Sequence, residues 1–173
     1  MIYIVRHGQT DYNKNGRYAG RIDVPLNDIG RDQAKIVKEK LKDIKFDKIF
    51  CSPLVRAYET AQIISDNNII KDDRIIERSN GDLEGKLKTE INENIDFNDP
   101  EEQRFNIESI IDFRKRIKDF FDEITTLYKD KNVLVVTHAG VGIYSRCYFE
   151  GEPLDKDFRK YKIKNCEIIK YDN

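Results

Sequence analysis

Apolar residues follow two kinds of pattern along this chain. Short runs rich in β-branched side chains, closed by polar residues or glycine, read as buried strands: Ile2 to Val5, Phe46 to Cys51, and Asn132 to Thr137. Arg74 to Ile76 predict a further short strand ending at Glu77, and Asn165 to Tyr171 predict the last. Between them the spacing turns helical. Asn27 can cap a helix running to about Asp43, with Ala34, Val37 and Leu41 on one face. Ser52 and Pro53 announce another helix start, followed by Leu54, Ala57, Ala61 and Ile64 at buried positions. The strongest periodicity is Ile107, Ile110, Ile111, Ile117, Phe120, Phe121, Ile124, Leu127 and Tyr128, which Asn106 can cap. Its aromatic stripe is read as core. A helix from about Gly140 to Phe149 completes the set.

Two polar, glycine-bearing segments interrupt this pattern. Gln9 to Val24 is predicted to be a loop staying near the end of the first strand. Ser79 to Asn106 is predicted to be a loop with one short helix around Leu87 to Ile95. Strands alternating with helices place the chain in the α/β class, as a layered sandwich.

Composition narrows the picture. A length of 173 residues predicts one domain over 1–173, with 82–106 as a small lid or insertion. The 31 Lys and Arg balance 32 Asp and Glu, so no basic field argues for nucleic acid. No apolar run approaches the roughly 18 residues of a membrane span. Cys51, Cys147 and Cys166 are widely spaced with no C-x-x-C pair, which indicates neither a disulfide framework nor a zinc site and predicts a reducing, cytoplasmic setting. Arg159, Lys160, Lys162 and Lys164 are read as a solvated face without a role.

The chemistry lies where strands end. Arg6 and His7 follow the first strand, and His138, the only other histidine, follows the Val133 to Thr137 run. In open α/β sheets ligands bind beyond the carboxyl ends of the strands. A lone histidine there is more often structural, but two in matching contexts, with Arg6 and Gly8 beside the first, point to an anion. Arg56 falls in the first turn of its helix, near the positive end of the dipole, and Glu77 again follows a strand. Two histidines, two arginines and one carboxylate suit phosphoryl transfer. A neutral imidazole attacks phosphorus, guanidinium groups counter the charge, and a carboxylic acid protonates the departing alkoxide.

Arg6-His7-Gly8-Gln9-Thr10 with Asn13 resembles the signature of the histidine phosphatase superfamily, also called the phosphoglycerate mutase-like family. Gly20, Asp23, Pro25, Leu26, Gly30, Gln33 and Ala34 resemble its next block. Ser52, Pro53, Leu54, Arg56, Ala57, Thr60 and Ala61 resemble its second arginine block. Glu77 with Gly81, Glu84 and Gly85 resembles the carboxylate block, and Thr137-His138-Ala139-Gly140 the last. The resemblance implies that His7 is the phosphorylated nucleophile, that Arg6, Arg56 and His138 bind the phosphoryl group, and that Glu77 donates the proton. Gly8, Asn13, Gly20 and the Ala139 backbone are implied as further ligand contacts. It also implies a three-layer α/β/α sandwich around a mostly parallel sheet, with no metal and no organic cofactor. One departure is Leu83, where many members carry an aromatic residue before Glu-Gly, which bears on the pocket's shape and not on the chemistry.

The expected activity is therefore a metal-independent phosphomonoesterase acting on a small phosphorylated metabolite. A cofactor-dependent phosphoglycerate mutase is the alternative. A mutase must shield its phosphohistidine from water, and the mutase branch carries longer insertions than this chain has to offer. His138-Ala139-Gly140 also looks more like the phosphatase branch. A binding module without turnover is disfavoured, because such chains usually lose the nucleophile or the acid. The natural substrate and the oligomeric state are not written in these motifs.

Overall fold

A computed structural model describes residues 1–102 and 104–172. Five strands form one sheet in the order β3-β2-β4-β1-β5. They are β1 (Ile2–Arg6), β2 (Lys48–Cys51), β3 (Ile69–Lys71), β4 (Val133–Thr137) and β5 (Ile168–Tyr171). β1 through β4 run parallel to their neighbours, and β5 closes the edge antiparallel to β1. The helices are the one-turn α1 (Asp11–Lys14), α2 (Asp28–Leu41), α3 (Val55–Ile64), α4 (Ile110–Leu127) and α5 (Ala139–Glu150).

Strand alternation sorts the core into two halves. Ile2, Ile4, Phe50, Val133 and Val135 face one side, packed with Phe113, Ile117, Phe120 and Phe121 of α4 and Val141 and Tyr144 of α5. Val5, Ile49, Cys51, Leu134 and Val136 face the other, against Val37 and Leu41 of α2 and Ala57, Ala61 and Ile64 of α3. Helices thus cover both faces of a mostly parallel sheet, as such a sheet requires when its strands are apolar on both sides. The chain leaves β1 toward the β2 side and leaves β4 toward the β5 side. The carboxyl ends of these two adjacent strands therefore lie at a topological switch point, where α/β sheets open a crevice.

Several predicted boundaries move. The short strand expected at Arg74 to Ile76 is a single 3-10 turn, Asp73–Ile75, and the edge strand is Ile69–Lys71 instead. Asn106 does not cap the long helix. It and Phe105 hold φ of 53° and 62°, left-handed values that no helix continues, and Ser109 caps through a bond to the Ile111 N–H at 3.2 Å. Ser52 does not cap α3 either. Leu54 occupies that position without a side-chain bond. The helix expected around Leu87 to Ile95 is one 3-10 turn, Lys88–Glu90. The Gln9 to Val24 loop contains α1, whose capping box pairs Thr10 and Asn13. The last strand begins at Ile168 rather than Asn165. No described helix is long and apolar enough to cross a membrane.

Candidate active site

The two histidines meet because their strands pair. In the β1 and β4 ladder Arg6 stands opposite Thr137, so His7 and His138 each lie one residue past a matched pair. The His7 amide donates to the Thr137 carbonyl at 2.9 Å, which carries the register one step into the loop. The imidazole centroids are 5.1 Å apart, with the planes crossing at 60°. Both residues are almost completely buried.

His7 Nδ1 lies 2.7 Å from the Gly8 carbonyl oxygen. A carbonyl only accepts, so Nδ1 carries the proton and Nε2 keeps its lone pair. Burial, then the nearby Arg56 and Arg6 charges, hold the His7 pKa well below the ordinary imidazole value. The ring is a neutral base with one free nitrogen. Gly8, expected as a ligand contact, is committed elsewhere: its N–H donates to Thr60 Oγ1 at 3.0 Å and its carbonyl holds the ring. A Cβ there would lie 2.4 Å from the Gly30 carbonyl oxygen, so α2 packs this close only against glycine.

Arg6 and Arg56 are cations taken largely out of water. Arg6 donates from one terminal nitrogen to the Ile163 carbonyl at 2.9 Å. Arg56, which is 1% exposed, donates to the carbonyls of Ile22 at 2.8 Å and Gly20 at 2.7 Å. Burial pushes both guanidinium pKa values down, opposed chiefly by the Glu77 carboxylate. The buried Nε of each has no partner among the described residues. Buried donors without acceptors are costly, and here they gather where an anion would satisfy them.

Glu77 is fixed from two sides. Its carboxylate accepts the Arg78 N–H at 2.9 Å and the Gly140 N–H, in the first turn of α5, at 3.1 Å. Arg116 of α4 clamps the backbone leading to it, donating to the carbonyls of Arg74, Ile76 and Glu77. A Cβ on Gly140 would sit 2.5 Å from Glu77 Oε1.

These groups surround a hollow of about 120 Å³ lined by Arg6, His7, Asn13, Gly20, Arg56, Glu77 and Ala139, together with Arg17, Tyr18 and Lys88. His138 does not line the hollow; its Nε2 is 2.7 Å from Ser52 Oγ, and its buried Nδ1 has no partner among the described residues. The hollow shares Tyr18, Glu77, Asn80 and Lys88 with a larger chamber of about 720 Å³. Phe97, Phe113 and Tyr144 give the chamber apolar walls, while Arg159 and Lys162, read from the sequence as roleless, also line it. Burial and the neighbouring Lys162 and Arg6 charges lower the Lys88 pKa.

Two further supports had no role assigned from the sequence: Asn165, outside every motif, and Glu84, within the carboxylate block. Asn165 donates to the His7 carbonyl at 2.9 Å and to Asn13 Oδ1 at 3.2 Å, tying the approach to β5 into the site. Glu84 accepts the N–H groups of Arg21 and Asn80, each at 2.9 Å, and fills the space that a side chain on Gly20 (φ 48°) would need. Among the described residues no group of three or more His, Cys, Asp or Glu is placed to hold a metal ion.

Comparison with known proteins gives a consistent result. The profile of the histidine phosphatase superfamily, branch 1, matches residues 2–172. A probable phosphatase of Schizosaccharomyces pombe is 34% identical over 171 residues, spanning 94% of this chain and 80% of that protein. Phosphoserine phosphatase 1 of Hydrogenobacter thermophilus is 34% identical over 148 residues, spanning 80% of this chain and 70% of its own. Among solved structures, phosphoserine phosphatase of Entamoeba histolytica in complex with 3-phosphoglyceric acid superposes with a TM-score of 0.82. It is 25% identical, over 96% of this chain and 87% of that one.

Proposed function

This chain belongs to the histidine phosphatase superfamily, branch 1, and from that premise we propose that it hydrolyses small phosphate monoesters in two displacements, with His7 carrying the phosphoryl group between them. The observation that carries this reading is the His7 ring, held neutral with Nδ1–H on the Gly8 carbonyl and Nε2 free beside two buried guanidinium groups. His7 Nε2 attacks phosphorus, and the ester oxygen leaves with a proton from Glu77. Water, giving its proton back to Glu77, then attacks the phosphohistidine and releases phosphate.

Arg6, Arg56 and His138 hold the phosphoryl oxygens as charge builds on them. Their unpartnered Nε and Nδ1 atoms support that role. Asn13, Gly20 and the Ala139 backbone complete the wall, and Gly8 acts through the carbonyl that orients His7. Residues 82–106 are proposed as the lid of a single domain over 1–173. Ile95, Asp96, Phe97 and Asn98 line the chamber, and Asn98 accepts a bond from the Tyr144 hydroxyl at 2.8 Å. The three cysteines are free thiols, which supports a reducing, cytoplasmic setting.

The phosphatase names of the Schizosaccharomyces pombe and Hydrogenobacter relatives favour hydrolysis over transfer. The test is release of inorganic phosphate from an aryl phosphate and from a panel of phosphorylated metabolites, with and without chelator. The expected result is turnover insensitive to chelator and reduced on the order of a thousandfold or more in His7→Ala. Comparable release by both proteins would remove His7 as nucleophile. Transfer between positions of phosphoglycerate with little free phosphate would make the chain a mutase.

A further inference from the structure

Ser52 has no solvent exposure, and the reaction above gives it nothing to do. Its amide donates to the Val136 carbonyl at 3.0 Å, fixing it beside the end of β4. Its Oγ has two polar neighbours: it accepts the Leu54 N–H at 3.3 Å and lies 2.7 Å from His138 Nε2. A buried hydroxyl must find an acceptor for its own hydrogen. Among the described residues the only hydrogen-bond neighbour that can accept it is the Nε2 lone pair. The Ser52 hydroxyl therefore donates to Nε2, and His138 carries its single proton on Nδ1.

This matters because burial and the charges of Arg56, Arg6 and Arg116 keep His138 neutral, with one proton to place on either nitrogen. With the proton on Nε2, Nδ1 would be a buried lone pair repelled by phosphoryl oxygens. With it on Nδ1, the ring offers a donor, and that Nδ1 is the buried atom left without a partner. We propose that Ser52 is a positioning residue that fixes His138 as its Nδ1–H tautomer and so makes this ring a hydrogen-bond donor to the transferring phosphoryl group. The proposal rests on the assignment of His138 to that group.

The experiment combines nitrogen-15 NMR of the histidine rings with kinetics on an aryl phosphate. In the wild-type protein the His138 Nδ1 resonance is expected in the N–H range and Nε2 in the lone-pair range. A wild-type ring protonated on Nε2 overturns the proposal whatever any variant does. In Ser52→Ala the Nδ1–H form is expected to lose its dominance, with kcat falling on the order of tenfold to a hundredfold and KM changing much less. A Ser52→Ala protein with unchanged tautomer and unchanged kcat overturns it. His138→Gln separates the two readings. Full activity there removes His138 from the phosphoryl site, whereas an inactive His138→Gln beside a fully active Ser52→Ala rejects Ser52 alone.

Discussion

At the scale of single residues, the site is built from groups that burial has pushed away from their solution behaviour. His7 and His138 both have folded pKa values well below the ordinary imidazole value of about 6.5. The unfolded chain therefore binds protons that the native chain refuses as the pH falls through about 6.5, and native stability decreases in that direction. In phosphate-free buffer neither ring should show an NMR titration midpoint near 6.5, and the melting temperature should drop between about pH 7.5 and pH 5.5. A midpoint at the solution value for either ring would mean that it is open to water. The chain holds only two histidines, so one variant, His138→Gln, assigns both signals. Which residues gather here was largely legible in the sequence: Arg6, His7 and Arg56 reach one hollow from the end of a strand or the start of a helix, and Glu77 joins them from the loop after a 3-10 turn where a strand was expected. Ser52, Asn165, Arg116 and Glu84 were not legible as supports. Their hydrogen bonds join distant parts of the chain, and a side chain that bonds across the fold leaves no local period. Ser52 was even misread, because a serine before proline signals a helix start and nothing nearby reveals a histidine 2.7 Å away.

At the scale of elements, α5 brings its first turn to the Glu77 carboxylate, and Gly140 makes the approach possible. Gly140→Ala places a methyl group 2.5 Å from Glu77 Oε1 and 3.2 Å from the Phe113 ring. Alanine favours a helix over glycine by roughly 1 kcal/mol, so the helix itself gains while the carboxylate must move. The expected outcome is a melting temperature near that of the wild type with kcat lowered about tenfold or more; unchanged kcat would show that Glu77 need not sit where it does. Periodicity found β1, β4 and α2 because each is long and faces a core. It failed at β3, where apolar pairs flank Asp72 and Asp73 without alternation. It also failed at the start of α4, where the left-handed Phe105 and Asn106 delay the helix to Ser109.

At the scale of the whole molecule, one side chain links the Glu77 backbone to the chamber wall. Arg78, next to Glu77, donates to the carbonyl of Phe97 and, at 2.8 Å, to that of Glu108, while its guanidinium lies near the Phe97 and Phe113 rings. Removing it in Arg78→Ala should speed amide exchange over residues 94–99 and raise KM about tenfold, with a smaller effect on kcat. Slow exchange and an unchanged KM would show that the wall stands without it. The pairing of β1 with β4 and β5 reaches further still. Both neighbours of the strand that leads into His7 are made after β2 and β3, so a growing polypeptide holds β1 unpaired until β4 emerges. A fragment that stops short of β4 leaves His7 without its neighbour His138 and is expected to release no phosphate from an aryl phosphate.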